Sequence, residues 1–397
     1  MRGGGSANIG LLIRSHHWRE KVRPKNVPFP HCWAARPLTE FEVLIGRIPF
    51  QKFVKSLLSS PMASSCNSAI IAEIVRGRHM ESCHLGHAVV ADADGHVLFA
   101  VGNHERPIFP RSALKPLQAL AGVMSGTDQR FQFTDAELAV ICGSHRGEPR
   151  HRAAVRSILE KIEATEEQLH CGAPAVVDVA TRDELIRAGQ APTAIDNNCS
   201  GKHAGMLALA KVLGASMDGY WNIDHPVQQK IQRSCREMCG IDGASRLECA
   251  VDGCAVPTYL LTLRQLAQGF ARLCARQHIE QAYGDACRRV LSAMITEPDM
   301  VGGIDARDSI LMRALPGMVV AKAGAEGVQA MGIVRRAIGV AIKVEDGADR
   351  PLWPICVAIL RRLDVLPESL PAELLKAWQA ELKNTRGDRV GFVRACI

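Results

Sequence analysis

Apolar and polar residues alternate in the first well-patterned part of the chain, from about residue 69. The segments IIAEIVRGRHME and LGHAVVADADGHVLFAVG have the two-residue period of β-strands. The second segment contains DADG between its two alternating runs, which is typical of a tight hairpin turn. The pattern therefore predicts an antiparallel hairpin near the start of the folded region.

The middle of the chain changes to a helical period. Apolar residues recur three and four positions apart in RSALKPLQALAGVM, DAELAVICGSH, HRAAVRSILEKI, GKHAGMLALAKVL, HPVQQKIQRSCREMC, TYLLTLRQLAQGFARLC and YGDACRRVLSAMI. Strand-like alternation returns in GMVVAKAG, GVQAMGIV and AIGVAIKV. The chain then closes on a predicted helix, PLWPICVAILRRL, and a second short helix near Ala372.

This order of elements predicts the fold class. Strands from the two ends of a chain can share one antiparallel sheet while the helices between them form a separate layer. We therefore predict an α+β fold, with a helical subdomain (about residues 110–315) inserted in a sheet subdomain (residues 69–109 and 316–397). Together they make a single catalytic domain, residues 62–397. An active site is expected at the seam between the two subdomains.

Composition and charge narrow the class of protein. Of 397 residues, 47% are hydrophobic and 22% are charged, as in ordinary soluble globular proteins, and no apolar run approaches the roughly 18 residues that span a bilayer. The net charge of +7 lies entirely in residues 1–61, which carry ten Lys and Arg against three Asp and Glu, whereas the remainder has 38 of each. A neutral body argues against a groove for nucleic acid. We predict neither nucleic-acid nor membrane partners.

Residues 1–61 form a basic N-terminal extension with Gly and Pro punctuation and no sustained period. Its apolar stretch LLI is too short for the core of a signal peptide. We expect this extension to be disordered or untranslated, with translation beginning at Met62; a transit-type segment is the alternative. The 14 cysteines are scattered along the chain, so most are expected to be buried thiols in a reducing compartment, which favours a cytoplasmic location.

The segment RSALK, residues 111–115, carries the first candidate chemistry. It follows Pro107 and Pro110 and opens a helix, so Ser112 and Lys115 lie one turn apart on the same face. Serine acyl-transfer enzymes with a lysine base use this spacing. The alternative is an N-cap serine beside a solvated lysine, because the spacing also recurs by chance.

Two further segments offer reactive groups. The turn CGSHRGEP, residues 142–149, places Ser144 and His145 between two helices. The alternative here is a capping serine and a surface histidine. Lys322 lies in VVAKAGAEG, a strand whose small and apolar neighbours let a substrate approach and favour a buried amine.

The segments NNCSGKHAGM, residues 197–206, and DGC, residues 252–254, are candidates for a zinc site. Two cysteines on separate turns with a nitrogen ligand suit zinc, and spacing alone selects Cys199, His203 and Cys254. The sequence lacks the paired C-x-x-C knuckles of a structural site. Two buried cysteines without a metal are therefore the alternative.

Taken together, RSALKPLQALAG, SHRGEP, HCGAP, NNCSGKHAGMLALAK, DHPVQQ, DGCAVPTYLL and KAGAEG resemble the asparaginase II family, the thermolabile, rhizobial type of L-asparaginase, in the order that this family shows. The resemblance covers about residues 70–345, is expected to continue to the end of the chain, and leaves residues 1–61 without a counterpart. It implies a fold related to the serine β-lactamases and glutaminases, hydrolysis of L-asparagine to L-aspartate and ammonia, and a homodimer. The alternatives are another small-amide hydrolase, glutaminase-like or β-lactamase-like, and a catalytically silent zinc-binding protein of the same fold.

The resemblance also implies catalytic residues. Ser112 and Lys115 match the first Ser–Lys pair of the family, and Ser144 and Lys322 match the second. The S-x-x-K spacing favours Ser112 as the nucleophile.

A zinc ion near the substrate, one per subunit, is a further implication of the resemblance. Its ligands match Cys199, Lys202 and Cys254, so Lys202 takes the place that spacing gives to His203. Ser200 is then expected to be a helix-capping hydroxyl.

Three residues of the matched motifs are candidates for contact with the substrate. Asp252 is expected beside the zinc, where it orients ligands. Arg111 is expected to bind the carboxylate of the substrate, and His203 to tune the site. Arg146 departs from the family, which often has a small residue at this position of SHRGEP.

Overall fold

The computed structural model describes residues 67–243, 247–275, 281–378 and 380–397. Ser65–Ile397 form one compact unit. The N-terminal extension and the predicted start at Met62 lie outside the described residues.

The strands in these ranges are β1 (Ala69–Arg76), β2 (His79–Asp92), β3 (Val97–Val101), β4 (Pro107–Ile108), β5 (Cys249–Val251), β6 (Pro257–Tyr259), β7 (Leu261–Thr262), β8 (Val319–Gly324), β9 (Val328–Ile333), β10 (Ile338–Val344), β11 (Ala380–Lys383) and β12 (Arg389–Ala395). The helices are α1 (Lys115–Met124), α2 (Thr127–Phe131), α3 (Asp135–Cys142), α4 (Pro149–Lys161), α5 (Val179–Arg187), α6 (Ser200–Leu213), α7 (Pro226–Met238), α8 (Leu263–Cys274), α9 (Gln281–Thr296), α10 (Pro298–Gly302), α11 (Arg307–Ala314), α12 (Leu352–Arg362) and α13 (Ala372–Trp378).

The main sheet has eight antiparallel strands in the order β11-β12-β1-β2-β10-β9-β8, with β3 paired to β2 off this path. Strand β2, which precedes the helices, pairs with β10, which follows them, and Val90 lies opposite Val340. The predicted hairpin joins β2 to β3. The structure therefore confirms the α+β prediction, with one antiparallel sheet built from both ends of the chain and helices between them.

The C-terminal part differs from the sequence prediction, which places only helices after β10. Both predicted helices are present as α12 and α13, but β11 and β12 follow them and extend the sheet beyond β1. Val393 of β12 lies opposite Ile74 of β1. These strands are short and rich in charged residues, so their period is weak. Their conformation is decided by pairing, of β12 with β1 and of β11 with β12.

Helix α8 packs directly against the sheet and connects it to the helical layer. It begins at a capping box in which the Thr262 hydroxyl and the Gln265 amide oxygen accept each other's backbone N–H. Phe270 on its inner face is buried. A Cβ atom at Gly339 of β10 would lie 1.7 Å from the carbonyl oxygen of Ala267. The strand can therefore lie against the helix backbone only because residue 339 has no side chain.

Two other glycine contacts bring the motif segments together. A Cβ atom at Gly201 of α6 would lie 2.4 Å from the carbonyl oxygen of Val140 in α3, so these helices touch through their backbones. A Cβ atom at Gly324 of β8 would lie 2.2 Å from the carbonyl oxygen of Pro110. The first contact places the start of α6 against α3, and the second places the RSALK turn beside the end of β8.

None of the helices in the described ranges has the length and apolar character needed to cross a membrane. The cysteines of these ranges are all free thiols, and most are buried.

Candidate active site

The RSALK segment forms a 3-10 turn, Arg111–Leu114, that runs directly into α1 at Lys115. Arg111 has a φ of 53°, in the left-handed region that costs a non-glycine residue about 1 kcal/mol or more. Such a conformation persists where neighbouring groups hold it, and Arg111 Nε donates a hydrogen bond to Asp252 Oδ1. The turn presents Ser112 to a cleft.

Lys115 is buried, and its side-chain nitrogen lies among three acceptors. Nζ is 2.6 Å from the carbonyl oxygen of Gly143, 3.0 Å from Ser144 Oγ and 3.2 Å from the carbonyl oxygen of Asn198. Three acceptors match the three N–H donors of an ammonium group. The site therefore holds Lys115 as a donor to Ser144.

This bond differs from the pairing that the resemblance implies. Among the described residues, neither Ser112 with Lys115 nor Ser144 with Lys322 forms a hydrogen bond. The carbonyl groups around Lys115 come from the turn after α3 and the loop before α6, and they draw its side chain away from its own 3-10 turn. The Ser–Lys contact thus joins the two motifs.

The turn that carries Ser144 is fixed from both sides. It follows α3, as predicted, and a Cβ atom at Gly143 would lie 2.8 Å from the carbonyl oxygens of Met300 and Val301. The backbone N–H of Ser144 donates to the Val301 carbonyl over 2.7 Å. Helix α10 therefore sets the position of Ser144.

His145 is buried, with 1% of its surface exposed, so the alternative of a surface histidine is excluded. Its Nδ1 accepts a hydrogen bond from Gly147 N–H, which leaves Nε2–H to donate to Ser200 Oγ over 2.8 Å. Ser200 in turn donates to the carbonyl oxygen of Ile195. Burial lowers the pKa of His145 well below its usual value. The prediction that Ser200 caps α6 is wrong, because Cys199 occupies that position.

Lys322 is buried on β8, where Nζ donates to the carbonyl oxygen of Ala323 and lies 3.3 Å from Asp308 Oδ2. Burial lowers the pKa of Lys322 to about 8; the charge of Lys115 adds to this effect, while Asp308 opposes it. Asp308 also accepts from Ala323 N–H and Gln329 Nε2. The sequence did not identify Asp308, which stands in α11 without any motif around it.

The predicted zinc ligands Cys199, Lys202 and Cys254 are buried together. Lys202 Nζ lies 3.0 Å from Cys254 Sγ. A hydrogen bond between the two thiols lowers the pKa of Cys199 well below its usual value and raises that of Cys254. Burial disfavours the charge on Lys202, but the two sulfur atoms outweigh burial and raise its pKa.

Two thiols and an amine are sulfur and nitrogen donors, which suit zinc. In the part of the chain that the structure describes, one group of three Cys, His, Asp or Glu residues has its ligand atoms within 4.8 Å of one another. This group is Asp92, Asp94 and His96 at the β2–β3 turn, and it does not include Cys199 or Cys254. Lys202 can supply a nitrogen ligand beside Cys199 and Cys254, because its Nζ lies 3.0 Å from Cys254 Sγ. The donor set thus fits the zinc site that the resemblance implies.

His203 lies behind the predicted zinc ligands. It is fully buried, and its Nδ1 is 2.6 Å from the Tyr220 hydroxyl oxygen. The hydroxyl of Tyr220 also accepts the backbone N–H of His170. Burial lowers the pKa of His203 well below its usual value. The structure therefore brings His203 to Tyr220, and not to the surface of the cleft.

Two adjoining cavities form the cleft. The first, of about 530 Å³, is lined by the zinc-site thiols with Arg111 and Asp252, and we call it the thiol end. The second, of about 430 Å³, is lined by Ser144 and Lys322, and we call it the amine end. The residues that line both are Ser112, Asn198 and Ala325. Ser112 therefore stands where the two cavities meet, beside strand β8.

Asp252 and Asn197 fix the thiol end. Burial raises the pKa of Asp252, but Lys202 and Arg111 outweigh it, so the net shift is downward and the group is a carboxylate. Asn197 accepts the N–H of Cys199 and donates to the carbonyl oxygen of Cys171 over 2.6 Å. Asp252 lies near the thiols and Lys202, where it was expected. Asn197 opens the NNCSGKHAGM motif, but the sequence assigned it no role.

The model of the family described as L-asparaginase II matches residues 72–395. No curated protein matches the chain. A Bacillus glutaminase structure is 13% identical with a TM-score of 0.36, covering 66% of this chain and 84% of its own. A putative beta-lactamase from Bacteroides dorei is 9% identical with a TM-score of 0.35, covering 76% and 92%.

Proposed function

This chain belongs to the L-asparaginase II family, which confirms the resemblance carried by the motifs and makes it an amide hydrolase, and we propose that it hydrolyses the side-chain amide of L-asparagine to L-aspartate and ammonia. One observation carries the proposal. Lys115 Nζ lies 3.0 Å from Ser144 Oγ in a cleft that Ser112 and Lys322 also line. Hydroxyl and amine groups in one cleft are the requirements of Ser–Lys acyl transfer.

The two lysines suit different tasks. Lys115 has an acceptor for each N–H, so we assign it as the cation that stabilises negative charge through Ser144. Lys322 has a pKa of about 8, so about one tenth of it is neutral at pH 7. We assign Lys322 as the base.

The proposed reaction begins with Ser112, which stands at the junction of the cavities. Its Oγ attacks the amide carbon while its proton passes to the neutral amine of Lys322. The carbon–nitrogen bond then breaks, and the departing nitrogen takes that proton and leaves as ammonia. Water attacks the acyl-enzyme, one of its protons returns to Ser112 Oγ, and L-aspartate is released.

We propose one zinc ion per subunit at Cys199, Lys202 and Cys254. When bound, the ion supplies a Lewis acid at the thiol end and assists substrate binding. The two thiols belong to the α6 N-terminus and to the turn after β5, so the site joins these segments beside Ser112. Arg111 and Asp252 are proposed to shape the substrate site at this end. His203 supports the ligands from behind through its bond to Tyr220.

An ammonia-release assay on the purified protein tests the proposal, using L-asparagine, L-glutamine and a β-lactam with and without added zinc. We expect the highest kcat/KM for L-asparagine. A higher value for glutamine or hydrolysis of the β-lactam alone would assign the protein to another amide substrate. No turnover of any amide would support a silent zinc-binding protein. Light scattering tests the homodimer that the resemblance implies.

A further inference from the structure

Most charged side chains that line the cleft are paired within the protein. The ion pairs are Arg111–Asp252, Arg152–Asp196, Arg307–Asp349 and Lys322–Asp308. A paired side chain has less to offer a charged ligand, because the ligand must compete with the partner that is already bound.

Arg146 and Asp305 are the exceptions. Among the described residues, neither side chain makes a hydrogen bond or an ion pair within 4.0 Å, although the charge of Arg146 contributes to lowering the pKa of Asp178. Both side chains line the amine end of the cleft with Ser112 and Ser144. They belong to different segments, since Arg146 follows Ser144 on the turn after α3 and Asp305 lies between α10 and α11. The amine end of the cleft thus holds one cation and one anion, on different segments, whose side chains form no direct ion pair.

The loop between α10 and α11, which carries Asp305, leaves space for the side chain of Arg146. A Cβ atom at Gly303 would lie 2.6 Å from Glu148 Oε1 and 2.7 Å from Arg146 Cδ, so these side chains would have to move. Gly303 also has a φ of 101°, which favours glycine. The loop that carries Asp305 therefore accommodates the stem of Arg146.

We propose that Arg146 binds the α-carboxylate and Asp305 the α-ammonium group of the amino-acid substrate. This assignment rests on the proposed function, because L-asparagine is a zwitterion whose head group needs one partner of each sign. The planar guanidinium of an arginine matches a carboxylate in two parallel hydrogen bonds. Arg111, to which the motifs give the carboxylate, is already bonded to Asp252.

The assignment orients the substrate. Its head group lies at the amine end, and its side-chain amide points to Ser112 at the junction of the cavities. An amide that lacks both head-group charges, such as a side-chain amide within a peptide, gains nothing from these two residues. The pair therefore selects free amino acids.

Isothermal titration calorimetry with the product tests the pair without requiring turnover. The probes are L-aspartate, succinate, which lacks the ammonium group, and β-alanine, which lacks the α-carboxylate. We expect Arg146→Ala to weaken L-aspartate and succinate by roughly tenfold or more and to leave β-alanine unchanged. Asp305→Asn is expected to weaken L-aspartate and β-alanine and to leave succinate unchanged.

Arg156→Ala is the matched control, because Arg156 is exposed on α4 and lines neither cavity; it is expected to bind like the wild type. Arg146→Lys keeps the charge and is expected to bind more tightly than Arg146→Ala. Equal affinity for L-aspartate in Arg146→Ala and the wild type, or no binding to the wild type, would overturn the proposal. If the wild type binds the three probes with the expected selectivity but releases no ammonia from L-asparagine, only the proposed function is overturned. If Arg146→Ala releases ammonia from L-asparagine as fast as the wild type, only this inference is overturned.

Discussion

Lys115 Nζ donates a hydrogen bond to Ser144 Oγ over 3.0 Å, although the two residues are 29 positions apart in the chain. The same amine reaches the carbonyl oxygen of Asn198, just before α6. Three segments with separate sequence motifs thus converge on one ammonium group. Ser144 is held by this contact, while Ser112 stands free of it at the junction of the two cavities.

The two serines are therefore expected to respond differently to substitution. Ser112→Ala removes the proposed nucleophile and should lower kcat/KM by a factor on the order of 10⁴, whereas Ser144→Ala removes a stabilising hydroxyl and should lower it by about 10². Steady-state ammonia release measures both. Ser216→Ala, at an exposed serine outside the cleft, is the control. A covalent adduct located on Ser144 by mass spectrometry would contradict the assignment.

The rate is expected to rise with pH as Lys322 loses its proton. Its pKa is lowered to about 8, so kcat/KM should increase through a midpoint near pH 8 and level off above it. Asp308 raises the pKa of Lys322, and Asp308→Asn should therefore move the midpoint to lower pH. Asp218→Asn, at an exposed carboxylate, should leave it in place. A profile that falls through pH 8 would exclude Lys322 as the base.

Zinc content separates the two candidate ligand sets. Cys254→Ser and Lys202→Met should each lose the metal, because both side chains lie in the thiol and amine cluster. His203→Gln should retain it, since His203 Nδ1 is bonded to Tyr220. Plasma mass spectrometry measures the bound zinc, and Cys83→Ser, an exposed thiol, is the control. If Lys202→Met retained all of its zinc and His203→Gln retained none, the ligands would instead be Cys199, His203 and Cys254, as the residue spacing alone predicts.

Removal of zinc by a chelator is expected to raise KM more than it lowers kcat. The proposed bond changes take place on Ser112 and Lys322, while the metal assists binding at the thiol end. Initial rates over a range of L-asparagine concentrations measure both constants. Circular dichroism checks that the metal-free protein stays folded. Loss of all turnover in folded, metal-free protein would show that the metal takes part in the chemistry.

Glycine contacts that align the motifs should be intolerant of even a methyl group. Gly324→Ala and Gly201→Ala would place Cβ 2.2 Å and 2.4 Å from backbone carbonyl oxygens, and each should lower the free energy of unfolding by about 1–3 kcal/mol. Denaturant unfolding measures the change. Gly284→Ala is the matched control, because its Cβ would meet only Arg288 Nη1 at 3.6 Å. In helix α9 this change should stabilise the protein by about 0.5–1 kcal/mol.

The fold was predictable where periodicity is strong. The alternation in β2 and β10 and the helical spacing in α1, α6 and α8 predicted a sheet from both chain ends with helices between them. Strands β11 and β12 were not predicted, because AELK and RVGFVRA carry little apolar signal. Strand β12 acquires its conformation from pairing with β1, and β11 acquires its own from pairing with β12. Short edge strands depend on their neighbours more than on their own residues.

The motifs predicted which side chains gather at the cleft but not how those side chains pair. Lys115 bonds to Ser144 because of two backbone carbonyl groups, and no residue pattern records where a carbonyl points. Asp308 and Asp305 lie outside every motif. Asp308 lies next to Lys322, and Asp305 lines the same cavity as Arg146. Both positions follow from the packing of α10 and α11, which is a property of the folded chain.

The pairing of β12 with β1 also constrains how the protein is made. Residues 72–76 of the first strand lie against residues 391–395 at the end of the chain, so β1 keeps an open edge while the ribosome synthesises everything between them. Unpaired strand edges invite pairing with other chains, and distant contacts form slowly. The pairing of β1 with β12 forms only after residues 391–395 have been synthesised. Until then, β1 carries an edge that is open to pairing with other chains.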